Sequence, residues 1–327
     1  EEEAGVGALR GDELLPERLV ASVVSLASEA KEEAARLATA GDAGDGTGLG
    51  LVARPRLLEL GGALCTLERS LQDESPEELP PTAQRSLDEM PALFRAAAAQ
   101  VATLVALLAL EPAPLATSRD RTRPVPAVGI HRVATVEVLA HLLAATCPAV
   151  DQAVAESGAL AAVVDLFFAN PWNNALHIAA SRVFQAALQS PVAALRQPLV
   201  QASELALPTK LAAVLVDAVD RLPGARLGLV GPAAALAAFL CDLASADGCP
   251  ADLADALAGN AAWREAARGA ECALEQLRKE KEGTIAGPKP VSPPISLGGG
   301  LMNSGLSGRD LLALVSGYLQ QGGGGGG

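Results

Sequence analysis

Ala159-Leu160-Ala161-Ala162-Val163-Val164-Asp165-Leu166-Phe167-Phe168-Ala169-Asn170-Pro171-Trp172-Asn173-Asn174-Ala175-Leu176-His177 is the stretch whose reading decides the fold. Leu160, Val163, Val164, Phe167 and Phe168 fall at i, i+3, i+4, i+7 and i+8, the spacing of one face of an α-helix. Pro171 cannot continue that helix, because it lacks an N–H and its ring collides with the preceding turn. It suits the first turn of a following helix, which makes Asn170 the N-cap; if the second helix starts later, Asn173 or Asn174 takes that role. The block reads as two helices joined by a tight turn, with Trp172 packed over it as a buried joint residue.

The same period continues on both sides. Leu176, Ala180, Val183, Phe184, Ala187 and Leu188 form the stripe of the next helix, and Leu211, Val214, Leu215, Ala218 and Leu222 repeat it further on. Helices of this length joined by short turns become antiparallel neighbours and bury a continuous core by stacking. Composition agrees. Half of the 327 residues are apolar, Ala and Leu dominate that set, and only 2% are aromatic. Ala and Leu lose little side-chain freedom in a helix, whereas β-formers are scarce here. The expected fold is all-α, an α-solenoid of degenerate HEAT/armadillo-like repeats with a disordered C-terminal tail.

Three regions are expected. Residues 1–50 hold an amphipathic helix over 12–40 and a Gly/Asp linker over 41–50. Residues 51–281 form the repeat domain, with helices over 56–71 and 91–110, a Pro-rich loop over 111–126, and successive helices from 129 onward. Residues 282–327 are a Gly/Pro/Ser-rich tail carrying a short helix over 309–319. The longest apolar runs, 96–110 and 227–241, fall short of the roughly 20 residues a membrane span needs and read as buried helices.

The formal charge is −13, from 25 Lys and Arg against 38 Asp and Glu, with no cluster of bases to follow a phosphate backbone. Neither nucleic acid nor a membrane is an expected partner. Five scattered cysteines give no zinc spacing and no disulfide framework, which places the chain in a reducing compartment, the cytoplasm or also the nucleus. Catalysis requires a convergent set of titratable groups, and only three histidines are present. His141 follows Glu137 by four residues and reads as one half of an exposed pair. His131 lies near a helix start as a surface residue, and His177 shares a polar face with Ser181, Gln185 and Gln189. The glycine runs at 44–50 and 224–231 lack the framework of a nucleotide loop. No catalytic residue, metal ligand or cofactor is expected.

The block Leu166-Phe167-Phe168-Ala169-Asn170-Pro171-Trp172-Asn173-Asn174-Ala175-Leu176-His177 closely resembles the Leu-Phe-Phe-x-Tyr-Pro-Trp-Asn-Asn-Phe-Leu-His block of the SAPS-domain family. Asn170 stands where that family has an aromatic residue, and Ala175 where it has Phe. The helix from His131 to Leu143 is similar to the one preceding that block. Arg226-Leu227-Gly228-Leu229-Val230-Gly231 is similar to the family's Arg-Arg-Gly-x-Met-Gly-His segment, with Leu227 for Arg and Pro232 for His. Trp263 with Arg264 and Glu265 resembles its later Trp-Glu helix. The resemblance spans about 125–280. It implies a non-catalytic scaffold that binds a Ser/Thr phosphatase catalytic subunit of the protein phosphatase 6 type, within the protein phosphatase 2A-like group, and directs it to substrates. The partner-binding residues it suggests are Asp165, Trp172, Asn173, Asn174, His177, Arg226 and Gly228. A helical adaptor of another system, in transport or the cytoskeleton, is the alternative.

Overall fold

The structure, a computed structural model, describes residues 15–41, 51–52, 54–73, 84–112, 128–201, 205–222, 226–269 and 271–285. The chain divides into two compact units, Glu1–Glu282 and Gly283–Gly327. Beyond the last turn of one helix the second unit lies outside the described residues, as do the 42–50 linker, most of the 111–126 loop, the C-terminal tail and its 309–319 helix.

The described chain is all-helical apart from one two-residue parallel pairing, Leu51–Val52 with Glu111–Pro112. In order, the helices are α1 Leu15–Gly41, α2 Arg54–Asp73, α3 Ala92–Ala98, α4 Val101–Leu107, α5 Ile130–Ala144, α6 Pro148–Glu156 and α7 Ala159–Ala169. They continue with α8 Asn174–Gln189, α9 Ala193–Val200, α10 Leu207–Asp220, α11 Val230–Ser245, α12 Ala251–Gly259, α13 Ala261–Ala267 and α14 Ala273–Ile285. A short 3-10 turn, Leu87–Glu89, precedes α3. The single helix expected over 91–110 is two, because Ala99 and Gln100 form a turn between α3 and α4.

The stripes read from sequence are the buried faces. Leu160, Val163, Val164 and Phe167 of α7 are buried, as are all six stripe residues of α8. The Phe167 ring meets Phe168, Phe184 and His177 edge-on at 4.9–5.6 Å between centroids. Leu222 is a correction: α10 stops at Asp220, and Leu222 lies beyond it, 80% exposed. Leu104 and Leu107 in one apolar run, and Leu236, Ala237 and Leu240 in the other, face the core. Among the described residues no single helix is long and apolar enough to cross a membrane.

Packing between helices steps by three. The helix α5 packs on α2 and α8, and α8 packs on α11; α9 packs on α6 and α12; α10 packs on α13. At the α2–α5 contact Gly61 lies against Ile130 and His131, where a β-carbon would collide with the Ile130 side chain. Only a residue without a side chain lets these helices approach so closely.

Candidate functional site

At the joint between α7 and α8 the second helix takes the later of the two expected starts. Asn170 closes α7, its side-chain amide donating to the Leu166 carbonyl at 2.9 Å. Pro171 and Trp172 form the turn, and Asn173 is the N-cap of α8, its Oδ1 accepting the Leu176 N–H at 2.9 Å. Pro171 therefore sits in the turn rather than the first turn of α8. The helix starts where a side chain can satisfy one of its free N–H groups.

His177 is the clearest correction among the proposed partner-binding residues. It is fully buried, and its Nε2 lies 3.2 Å from the Phe167 carbonyl. A carbonyl can only accept, so Nε2–H donates. Burial lowers the affinity of the ring for a proton, against the backbone hydrogen bonds that raise it. The residue locks α8 to the end of α7 and is not available to a partner. The polar i, i+4, i+8 face misled here because those residues diverge in depth: Ser181 and Gln185 are half-buried and Gln189 is exposed.

Trp172 is a second correction, because it is 53% exposed and not a buried joint residue. It rests on Gly228, in the turn before α11, where an added β-carbon would stand 2.9 Å from the Pro171 carbonyl and 3.2 Å from the indole. Two segments separated by more than fifty residues thus meet at one surface point. Arg226, in the same turn, is held within the chain: its Nε donates to the Ala218 carbonyl at 2.7 Å and its Nη1 pairs with Glu280 of α14. Asn174 is exposed at the start of α8, and Asp165 is exposed on α7. Comparison with protein-family models, with curated proteins and with solved structures finds no match to this chain.

The other histidines also differ from expectation. His131 is buried, with Nε2–H donating to the Leu110 carbonyl at 3.0 Å, and burial lowers its pKa to about 4. His141 pairs with Glu68 of α2 at 3.1 Å, while Glu137 pairs with Arg182 of α8 at 3.0 Å. The packing of α5 between α2 and α8 gives each of these residues an interhelical partner in place of an exposed pair with the other. One ligand atom from each of Glu68, Glu137 and His141 lies within 4.8 Å of the others, the one group among the described residues that could hold a metal ion. Arg182 is already the counter-charge of Glu137 there, and a cation would have to displace it.

A polar chain not foreseen from sequence ties α6, α9 and α12 together. Ser190 Oγ donates to Asp151 Oδ2 at 2.5 Å, Arg196 Nη1 donates to the Ser190 carbonyl at 2.6 Å, and Arg196 forks onto both oxygens of Asp252 at 2.8–3.1 Å. Burial pushes the Asp252 carboxyl up, but the Arg196 hydrogen bonds and charge outweigh it and hold the group below its usual range. Asp151 has no such cation. Burial, only partly offset by the Ser190 hydrogen bond, pushes its pKa up to about 6.

His131 and Asp151 pull acid stability in opposite directions. The ordinary histidine value is 6.5, so His131 contributes stability that is full above pH 6.5 and lost as pH falls toward about 4. The ordinary aspartate value is 3.8, so Asp151 contributes stability that is full below it and lost as pH rises through about 6. Asp151→Asn removes the second effect and leaves the first. Urea unfolding of this variant is expected to lose about 3 kcal/mol more than wild type between pH 6.5 and 4. Parallel stability curves for the two proteins would show that the groups do not titrate this way.

Proposed function

We propose that the chain is a non-catalytic regulatory scaffold that binds a protein phosphatase 2A-like Ser/Thr phosphatase catalytic subunit, of the protein phosphatase 6 type, and directs it to substrates. The observation that carries this reading is the contact of Trp172 with Gly228. The two segments whose residues resemble the SAPS-domain family come together there, with an indole left half in solvent. Trp is strongly over-represented among residues that dominate binding energy, and an exposed one held against a neighbouring turn is placed to meet a partner. The reading places the protein in the cytoplasm, with the nucleus as a further compartment, and requires no cofactor.

An armadillo-like solenoid is the architecture proposed with it. Its support is the three-helix period, in which α5, α8 and α11 follow one another, α6, α9 and α12 do the same, and α10 is followed by α13. The alternative, a helical adaptor in transport or the cytoskeleton, draws on Arg226. Its guanidinium is spent on Ala218 and Glu280 within the chain, so this part of the family-like segment serves as a tie between α10 and α14.

Trp172→Ala separates binding from folding. The side chain is half exposed, so the expected loss of stability is about 1 kcal/mol or less. Affinity for the purified catalytic subunit, measured by calorimetry, is expected to fall at least about tenfold, as for a central binding residue. Unchanged affinity would remove Trp172 from the interface.

A further inference from the structure

Gly61 of α2 lies against Ile130 at the start of α5, and seven residues further along each helix stand Glu68 and Glu137. His141 follows Glu137 by one turn of α5, and residues four apart share one face of a helix. One oxygen of each glutamate and one ring nitrogen of His141 all lie within 4.8 Å of one another. The tightest pair is His141 Nε2 with Glu68 Oε1, at 3.1 Å. Donors bound to one zinc ion at roughly 2.0–2.2 Å in a tetrahedron stand about 3.3 Å apart, so this pair already has the spacing of adjacent corners. Rotation of the flexible Glu137 side chain closes the third donor onto them.

The cluster holds more negative charge than it neutralises. His141 is a cation only when protonated, which leaves two carboxylates facing Arg182. Arg182 pairs with Glu137 alone among the described ion pairs, and its side chain is 56% exposed, so this pair is given up at small cost. Cys65, one turn before Glu68, registers the same field. Burial pushes its thiol up and the charges of Glu68 and Glu137 add to that, with exposed Arg69 offsetting part of it. The side chains of Glu68, Glu137 and His141 are 24%, 21% and 15% exposed. They are buried enough for charge to act strongly, and open enough for an ion to reach them from solvent.

We propose that Glu68, Glu137 and His141 bind one zinc ion, which ties α2 to α5. Imidazole together with carboxylate suits zinc, whereas magnesium and calcium favour sites built wholly of oxygens. Three protein donors leave one corner of a tetrahedron for water. Binding takes the His141 ring in its neutral form, with the Nε2 lone pair on the metal, and turns Arg182 out to solvent. The proposal is independent of the phosphatase reading.

Calorimetric titration of the full chain, first stripped of metal with EDTA, against zinc chloride tests it. One ion per chain is expected, with a Kd of about 10 µM or tighter. Zinc at about 100 times Kd is expected to raise Tm by about 5 °C. Glu68→Gln and His141→Ala each remove a donor, and each is expected to weaken binding at least about tenfold. Arg182→Gln removes the competing cation and is expected to tighten binding about threefold. Its side chain is exposed, so this variant folds whether or not the donor variants do. Four results would overturn the proposal: no binding of zinc to wild type, wild-type affinity in both donor variants (an adventitious ion only), weaker binding in Arg182→Gln, or magnesium bound as tightly as zinc.

Discussion

Phe167→Ala is expected to lower stability by about 3–5 kcal/mol, as deletion of a fully buried aromatic ring generally does. Phe167 is wholly buried where α7 meets α8, and its ring contacts Phe168, Phe184 and His177. Removing it leaves a cavity between two helices that His177 pins at a fixed distance through the Phe167 carbonyl, so the site cannot collapse freely. The backbone hydrogen bond survives the substitution, and the effect is one of packing. With a typical total of about 5–15 kcal/mol, the variant stands near the edge of folding at 37 °C. Urea titration followed by far-UV circular dichroism measures it. A loss below about 1.5 kcal/mol would mean that the aromatic cluster is not the well-packed joint described above.

The second large effect belongs to Arg196. Its side chain is 7% exposed and joins α9 to α12 through Asp252 and to the end of α8 through the Ser190 carbonyl. Arg196→Ala leaves that carbonyl and a half-buried carboxylate unpaired, and a loss of about 3 kcal/mol is expected, at the low end for a broken buried pair because Asp252 keeps solvent contact. Removing the carboxylate as well should recover part of the loss. The double variant Arg196→Met with Asp252→Leu is expected to be closer to wild type than Arg196→Ala, since replacing both charges with apolar groups avoids an uncompensated one. If the double variant is less stable than the sum of its single changes, the pair is not the source of the cost.

The helical stripes were legible because period 3.6 is a local property. The stripe of α8, Leu176 to Leu188, is wholly buried, and that of α7 is buried except for Phe168, which is half-buried. Capping was legible only as a choice among three asparagines, because the sequence does not say whether Pro171 opens a helix or sits in the turn before one. The histidines were not legible. Each has its partner in another element, Leu110, Glu68 or Phe167, and whether a polar side chain is buried depends on that element's carbonyl or carboxylate being there to receive it. The Asp151–Ser190–Arg196–Asp252 chain has the same character, with partners 39 and 56 residues apart. Its only local trace is an arginine set between Leu195 and Leu199 on a helix otherwise apolar on that side.

The candidate partner face was partly legible. Trp172 and Gly228 were singled out by resemblance to one family, and the structure places them in contact. Their exposure depends on how α11 approaches the α7–α8 turn, which no periodicity encodes. Quantitative mass spectrometry of proteins retained by the purified, immobilised chain from a eukaryotic lysate tests the scaffold reading most directly. The account predicts a protein phosphatase 2A-like catalytic subunit enriched on wild type and depleted on Trp172→Ala. Retained proteins that never include such a subunit would contradict it.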